Sequence, residues 1–132
     1  SESRLVRQVN EKGVIVINDA YSANPVSVVS SLKVLGMYPK RRVLITPGMI
    51  ELGHLHHQEN QKLGVLATQY ATDIILVGEK QTAPIQEGIH TTSFNKEHLL
   101  IMNRVSEAIQ WYQTHLEAGD TVLLLNDLPD TY

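Results

Sequence analysis

The sequence predicts an α/β fold: a Rossmann-like domain of three layers, in which a mostly parallel sheet of about six strands is flanked by helices. Short apolar runs alternate along the chain with segments of helical spacing. Those runs are continuous rather than alternating apolar with polar, which is typical of strands that are covered on both faces of a parallel sheet. The 132 residues suit one domain and leave no room for a second of ordinary size.

Five apolar runs predict the core strands, and each is closed by polar residues or glycine. They are residues 14–17, 43–45, 74–77, 99–102 and 121–125. A sixth segment, residues 5–9, alternates apolar with polar residues and is followed by Asn10 and Gly13. We expect it to be an edge strand that reaches the first core strand through a hairpin.

Four segments between these runs predict helices. Asn24 is a favourable N-cap, Pro25 suits a first helical turn, and the apolar spacing that follows stops at Gly36. Further helices are predicted at residues 57–70, at 83–89 with Thr82 as the cap, and at 106–116. The order is then repeated βαβ, which favours a layered parallel sheet.

Composition excludes several classes of partner and chemistry. Eleven Lys plus Arg against 14 Asp plus Glu give a formal charge of −3, which argues against binding nucleic acid through its phosphates. No apolar stretch approaches the roughly 18 residues of a membrane span, so no membrane partner is expected. The absence of Cys excludes disulfides and a cysteine nucleophile, and a reducing cytoplasm is the simpler interpretation. The chain starts at Ser1 and stops soon after an apolar run, so we expect a fragment of a longer protein.

In open α/β sheets, ligands bind beyond the carboxyl ends of the strands. Residues 18–25 form the first such segment, a polar loop in which Asp19 could accept hydrogen bonds from ribose hydroxyls and Tyr21 could face a base. Capping and chain reversal explain the same residues, and from the residues alone this is the favoured interpretation, because caps and turns are commoner than sites. In residues 46–53, two glycines indicate a backbone that passes close to a ligand or another domain. The alternative is an ordinary connection from a strand to a helix, in which Met49 and Leu52 pack against the core.

Other candidate chemistries are weaker. His54 and His57 can share one helix face, but no HExxH spacing occurs and no metal site is expected. The serines lack a GxSxG elbow, and without a GxxxxGK[ST] element this chain has no P-loop. Trp111 and Tyr112 are interpreted as packing residues. The carboxylates after the last predicted strand could face a substrate amine or simply end the sheet.

Two motifs and a spaced arginine resemble the Mur ligases, in particular those that add D-alanyl-D-alanine. Residues 19–25, Asp-Ala-Tyr-Ser-Ala-Asn-Pro, resemble the family motif D-S-Y-N-A-N-P, and residues 48–53 resemble G-D-M-L-E-L-G. Arg4 lies fifteen positions before Asp19, where the family carries an Arg, and Gly78 fits the V-G that closes the next strand.

The resemblance implies that residues 1–132 are a single C-terminal domain of a three-domain ligase, whose N-terminal and central domains lie elsewhere in the same chain. Such an enzyme uses ATP and Mg²⁺, held mainly by the central domain, to activate a carboxylate as an acyl phosphate that an amine then attacks. The leading reaction is addition of D-Ala-D-Ala to UDP-MurNAc-tripeptide in cytoplasmic peptidoglycan precursor synthesis. The isolated domain should be inactive.

The resemblance also implies a role for individual residues. Arg4 would act as a catalytic residue at the terminal phosphate, and Asp19 would bind the ribose. The rim of the nucleotide site would be formed by Tyr21, Asn24 and Pro25. The substrate-binding positions would be Glu51, Asn126 and Asp127.

Some positions depart from the family pattern. Asn60 stands where many members carry His, and residues 126–130, Asn-Asp-Leu-Pro-Asp, replace the usual K-G-S-R. The second change removes two cations and adds two carboxylates, which weakens a pocket for the carboxylate of a dipeptide. Two alternatives therefore stay open: a related ligase that adds a different amino acid, and a non-catalytic Rossmann-like module that binds a nucleotide or a protein.

Overall fold

The computed structural model describes residues 5–19 and 23–126, which form a sheet with helices on both faces. The elements in chain order are β1 (Leu5–Val9), β2 (Ile15–Asp19), α1 (Ser27–Gly36), β3 (Arg42–Thr46), α2 (His56–Tyr70), β4 (Asp73–Val77), α3 (Ala83–His90), β5 (Leu99–Met102), α4 (Val105–His115) and β6 (Thr121–Leu125). Short 3₁₀ turns at Gly53–Leu55 and Lys96–His98 precede α2 and β5. None of the helices in these residues is long and apolar enough to cross a lipid bilayer.

The strand order across the sheet is β1-β2-β6-β3-β4-β5. Among the strands in residues 5–19 and 23–126, β1 alone runs antiparallel to its neighbour, and the other pairings are parallel. The predicted Rossmann-like fold class is therefore confirmed. Because β6 lies between β2 and β3, the carboxyl ends of these three strands stand side by side, and the predicted site segments meet there.

Two layers of apolar side chains cover the sheet. On one face α1, α2 and α3 contribute residues that include Leu32, Leu63 and Ile85. On the other face α4 packs through Tyr112, with half-buried Trp111 beside it, so both aromatic residues are packing residues as predicted. Every residue of β4 and β6 is buried, which explains their continuous apolar runs.

The strands at the two edges of the sheet, β1 and β5, are less covered than the inner strands, and β1 is the edge strand that its alternating pattern predicts. Ile101 in β5 is 39% exposed, and four of the five residues of β1 are exposed. The expectation of strands buried on both faces is therefore wrong for β5. An edge strand has a neighbour on one side only, and here the helices do not fully cover it.

Helices α2 and α3 touch backbone to backbone through two glycines. A Cβ atom on Gly64 would lie 2.2 Å from the carbonyl oxygen of Ile85, and one on Gly88 would lie 2.1 Å from the carbonyl oxygen of Gln61. Both distances are far inside van der Waals contact. Only glycine permits this approach, so the close packing of α2 against α3 depends on it.

Three local predictions need correction. Asn18 and Asp19 belong to β2 and do not form a loop after it. Pro25 lies in a turn before α1, because the helix begins at Ser27. Thr82 does not cap α3 with its side chain; its hydroxyl donates instead to the carbonyl of Gly78, which closes the turn before the helix.

Candidate functional site

Asp19 is the last residue of β2, and its carboxylate is buried at the carboxyl edge of the sheet. The residue is 1% exposed. Its Oδ2 accepts a hydrogen bond of 2.7 Å from the Ser31 hydroxyl in α1, whereas its Oδ1 has no hydrogen-bond partner among residues 5–19 and 23–126. Buried polar atoms are nearly always paired, because an unpaired one costs about 1–3 kcal/mol. Oδ1 is therefore an acceptor that a ligand hydroxyl could satisfy.

Asn126 joins the segments that follow β2 and β3. It comes directly after β6 with φ +76°, a conformation that Asn tolerates better than most residues. Its backbone N–H donates to the Asp19 carbonyl at 3.1 Å. Its side-chain amide donates to the Gly48 carbonyl at 2.6 Å and accepts from the Ala23 N–H at 3.2 Å. With 2% exposure, it holds the loops of the site together from within.

The loop after β3 is fixed by the side chain of Asn60 in α2, which is 1% exposed. Asn60 Oδ1 accepts from the Met49 N–H at 2.8 Å, and its Nδ2 donates to the Met49 carbonyl at 2.9 Å. Gly48 has φ +92°, and a Cβ there would lie 2.9 Å from Asn60 Oδ1. Met49 is buried and Leu52 packs on the core, as the alternative interpretation of this loop predicts.

Glu51 stands out in the same loop because its side chain is exposed and its φ is +61°. A non-glycine residue in this region of backbone space carries strain of about 1–3 kcal/mol, and such residues cluster at functional sites. The buried anchor at Met49 holds the loop in place around it. Glu51 as a substrate-binding residue remains a prediction.

Asn24 is not the N-cap residue that its position predicts, because α1 begins at Ser27 with Val26 as its N-cap. Its side-chain oxygen accepts from the N–H groups of Val26 at 3.0 Å and Ser27 at 2.9 Å. Pro25 follows it and lines a groove of about 420 Å³ between α1 and α2. The groove is bordered by the apolar side chains of Val28, Val29, Met49, Leu63 and Leu66.

The histidine-rich segment at the start of α2 contacts α3. His57 Nε2 lies 3.0 Å from Glu87 Oε1 in α3, and both side chains are more than half exposed. Among the residues that the structure describes, no group of three His, Asp or Glu side chains is arranged to hold a metal ion.

The carboxyl group with the clearest pKa perturbation, that of Asp73, lies at the amino ends of the strands, opposite the candidate site. Burial alone raises the pKa of Asp73, but hydrogen bonds from Arg41, His98 and Thr72 outweigh burial and hold this pKa below its usual value. Arg41 Nη2 and His98 Nδ1 each lie 2.9 Å from Asp73 Oδ2. Perturbed groups often mark functional sites, yet Asp73 begins β4, so this ion-pair cluster fastens the amino ends of the strands.

The structure brings Asp19 and Asn126 together and places Asn24 and Glu51 on the two loops that Asn126 joins. Arg4, Tyr21 and Asp127 lie outside the described residues, so their roles stay predictions. Sequence analysis missed Ser31 and did not recognise that Asn60 is an anchor. A signal was present, since each is a polar residue within the buried stripe of its helix. These stripes are Val28, Ser31, Leu32 and Leu35 in α1 and Asn60, Leu63, Gly64 and Ala67 in α2.

Comparison with known proteins agrees with this architecture. Residues 3–126 match the family described as Mur ligase, glutamate ligase domain. A UDP-N-acetylmuramoyl-tripeptide--D-alanyl-D-alanine ligase from Buchnera aphidicola is 31% identical over 108 residues, which cover 81% of this chain and 23% of that protein.

Solved structures show the same fold. MurF from Acinetobacter baumannii superposes with a TM-score of 0.70 at 26% identity, over 96% of this chain and 27% of its own. A MurF ligase from Thermotoga maritima in complex with ADP superposes with a TM-score of 0.73 at 18% identity, over 92% of this chain and 26% of its own. The chain thus spans about a quarter of the length of the relatives it matches. The match over nearly all of its residues, together with the fold, shows that the chain belongs to the Mur ligase family as a C-terminal domain.

Proposed function

We propose that residues 1–132 are the C-terminal domain of a three-domain, ATP-dependent amide ligase in cytoplasmic peptidoglycan precursor synthesis. The leading reaction is addition of D-Ala-D-Ala to UDP-MurNAc-tripeptide. The relative from Buchnera aphidicola, which carries the name of that activity, and MurF from Acinetobacter baumannii support this assignment. The N-terminal and central domains of the same chain would be the partners of this domain.

The single observation that carries the proposal is the buried Asp19 carboxylate with its unpartnered Oδ1. A ribose hydroxyl is a hydrogen-bond donor that this oxygen can accept, so the residue fits a nucleotide. The Thermotoga maritima ligase binds ADP, which supports the same class of ligand here. When bound, ATP supplies the phosphoryl group that activates the substrate carboxylate as an acyl phosphate.

The residues of this chain would bind and orient rather than complete the chemistry. Asp19 would hold the ribose, with Tyr21, Asn24 and Pro25 at the rim. Arg4 would place a guanidinium at the terminal phosphate and offset the charge that develops there. Mg²⁺ would be held by the central domain, since the described residues of this one offer no cluster of three ligands.

Hydrogen bonds hold Ala23 and the loop after β3 in place before any ligand arrives. Asn126 bonds to the loops after β2 and β3, and Asn60 bonds to both backbone groups of Met49. A domain that closes with such fixed loops can exclude water from a reactive intermediate and orient the substrate without reordering. Glu51 and Asp127 are the positions at which we expect the incoming amine substrate to bind, whereas the buried Asn126 would act by holding the two loops.

A second candidate, a related ligase with a different incoming amine, is favoured by residues 126–130. Their two carboxylates stand where the resemblance leads us to expect two cations. Such a segment repels the carboxylate of a dipeptide and attracts a cationic group. A substrate screen of the full-length protein with ATP distinguishes the two reactions. An upstream GxxxxGK[ST] element would separate either ligase from a non-catalytic module.

The proposal is tested by Arg4→Ala and Asp19→Ala in the full-length ligase that we propose carries this chain. Each change should lower turnover about tenfold or more, equivalent to roughly 1.4 kcal/mol of lost transition-state stabilisation. Ser30→Ala, at an exposed position of α1, is the matched control and should leave turnover unchanged. Unchanged kinetics in both test variants would remove the nucleotide-site assignment. The isolated chain should show no ligase turnover.

A further inference from the structure

One hydrogen bond joins α1 to the end of β2 beneath the candidate nucleotide site. The Ser31 hydroxyl donates to Asp19 Oδ2 at 2.7 Å, and Ser31 is 0% exposed. The second oxygen of the same carboxylate, Oδ1, is buried and has no partner in the described parts of the chain. The protein therefore engages one oxygen of Asp19 and leaves the other as an available acceptor.

Neither helix formation nor core packing accounts for a serine at this position. Ser31 lies in the buried stripe of α1 beside Val28, Leu32 and Leu35. Alanine is close to serine in size and favours a helix more strongly, and a buried hydroxyl is unfavourable unless it is hydrogen-bonded. The bond to Asp19 is what the hydroxyl contributes.

We infer that Ser31 is a positioning residue for the nucleotide. By holding Oδ2, its hydroxyl fixes the plane of a carboxylate whose terminal torsion is otherwise broad, and so presents Oδ1 to one ribose hydroxyl. This inference rests on the proposed function, which places the ribose at Asp19.

The test compares three nucleotides in the full-length ligase: ATP, 2′-deoxy-ATP and 3′-deoxy-ATP. The wild type should lose about tenfold in kcat/KM with the deoxynucleotide that lacks the contacted hydroxyl, the size expected for an unpaired buried acceptor. Ser31→Ala should raise KM for ATP about fivefold with kcat within about twofold, and should lose most of the discrimination between ATP and that deoxynucleotide. Ser30→Ala, on the exposed side of the same helix, should behave as the wild type.

The outcomes separate this inference from the proposed function. If the wild type uses all three nucleotides equally well, the assignment of Asp19 to the ribose is wrong, and so is the positioning role of Ser31. If the wild type discriminates and Ser31→Ala discriminates equally strongly, the nucleotide assignment stands and the positioning role is wrong. A fall in melting temperature with an equal loss for all three nucleotides would likewise show that Ser31 only fastens α1 to β2.

Discussion

The contact between α2 and α3 predicts that one added methyl group destabilises the domain. In Gly88→Ala the new Cβ would lie 2.1 Å from the carbonyl oxygen of Gln61 and 3.0 Å from its carbonyl carbon. Both are backbone atoms of α2, so no side-chain rotation relieves the overlap. The two helices must move apart by about 1 Å, which weakens dispersion contacts all along their interface.

The magnitude follows from two opposing effects. Forcing extra volume into a packed interface costs about 1–3 kcal/mol, and a rigid backbone contact belongs at the upper end of that range. Replacing glycine by alanine inside a helix recovers about 1 kcal/mol. We therefore expect a net loss of about 2 kcal/mol in the free energy of unfolding, or a fall of about 7 °C in melting temperature for a chain of this length.

Thermal and urea denaturation, followed by circular dichroism, measure this loss. Gly36→Ala is the matched control, because its Cβ would lie 2.6 Å from Cδ1 of the half-buried Tyr70 ring, which can turn away. We expect the control to change the free energy of unfolding by less than about 1 kcal/mol. A Gly88→Ala variant as stable as the wild type would refute the backbone contact.

Three further predictions concern side chains that hold the carboxyl ends and the amino ends of the strands. Asn60→Ala leaves both backbone groups of Met49 unpaired and buried, so the free energy of unfolding measured in urea should fall by about 2–4 kcal/mol. The control is Gln58→Ala, at an exposed position of the same helix. Equal free energies for the two variants would contradict the role of Asn60 as the anchor of Met49. Asn126→Gly keeps the positive φ whereas Asn126→Ala strains it, so the alanine variant should be less stable by about 1 kcal/mol in the same assay, and the reverse order would contradict this account. Because the pKa of Asp73 is lowered in the folded protein, its carboxylate stabilises the fold above about pH 4 and no longer does so below it. The free energy of unfolding of the wild type should therefore fall more than that of Asp73→Asn between about pH 5 and pH 3. Parallel curves of stability against pH would show that the carboxylate is not responsible.

Much of the fold could be predicted from the sequence because apolar patterning is local. Each continuous run became a strand and each 3.6-residue stripe became a helix, within a few residues. Local preference predicts a loop at Asp19, because Asn and Asp disfavour strands. In the structure it pairs with Leu5 on one side and Leu125 on the other, and this tertiary pairing overrides the local preference.

The site was harder to predict because its contacts join distant parts of the chain. The hydrogen bonds of Asn126 reach back to Gly48 and Ala23, and no spacing in the sequence encodes such pairs. The position of β6 between β2 and β3 cannot be predicted from the periodicity of apolar residues either. Ser31 and Asn60 were detectable in principle, since a polar residue within an apolar helical stripe requires a buried partner.

The position of β6 in the middle of the sheet has a consequence during synthesis. Until residues 121–125 leave the ribosome, β2 and β3 each expose an unpaired ladder of backbone donors and acceptors, and the nascent chain holds two incomplete half-sheets. Such open edges are templates for association with other chains. The sheet is therefore complete only when β6 pairs with both β2 and β3, which sets the three loop-bearing ends next to one another.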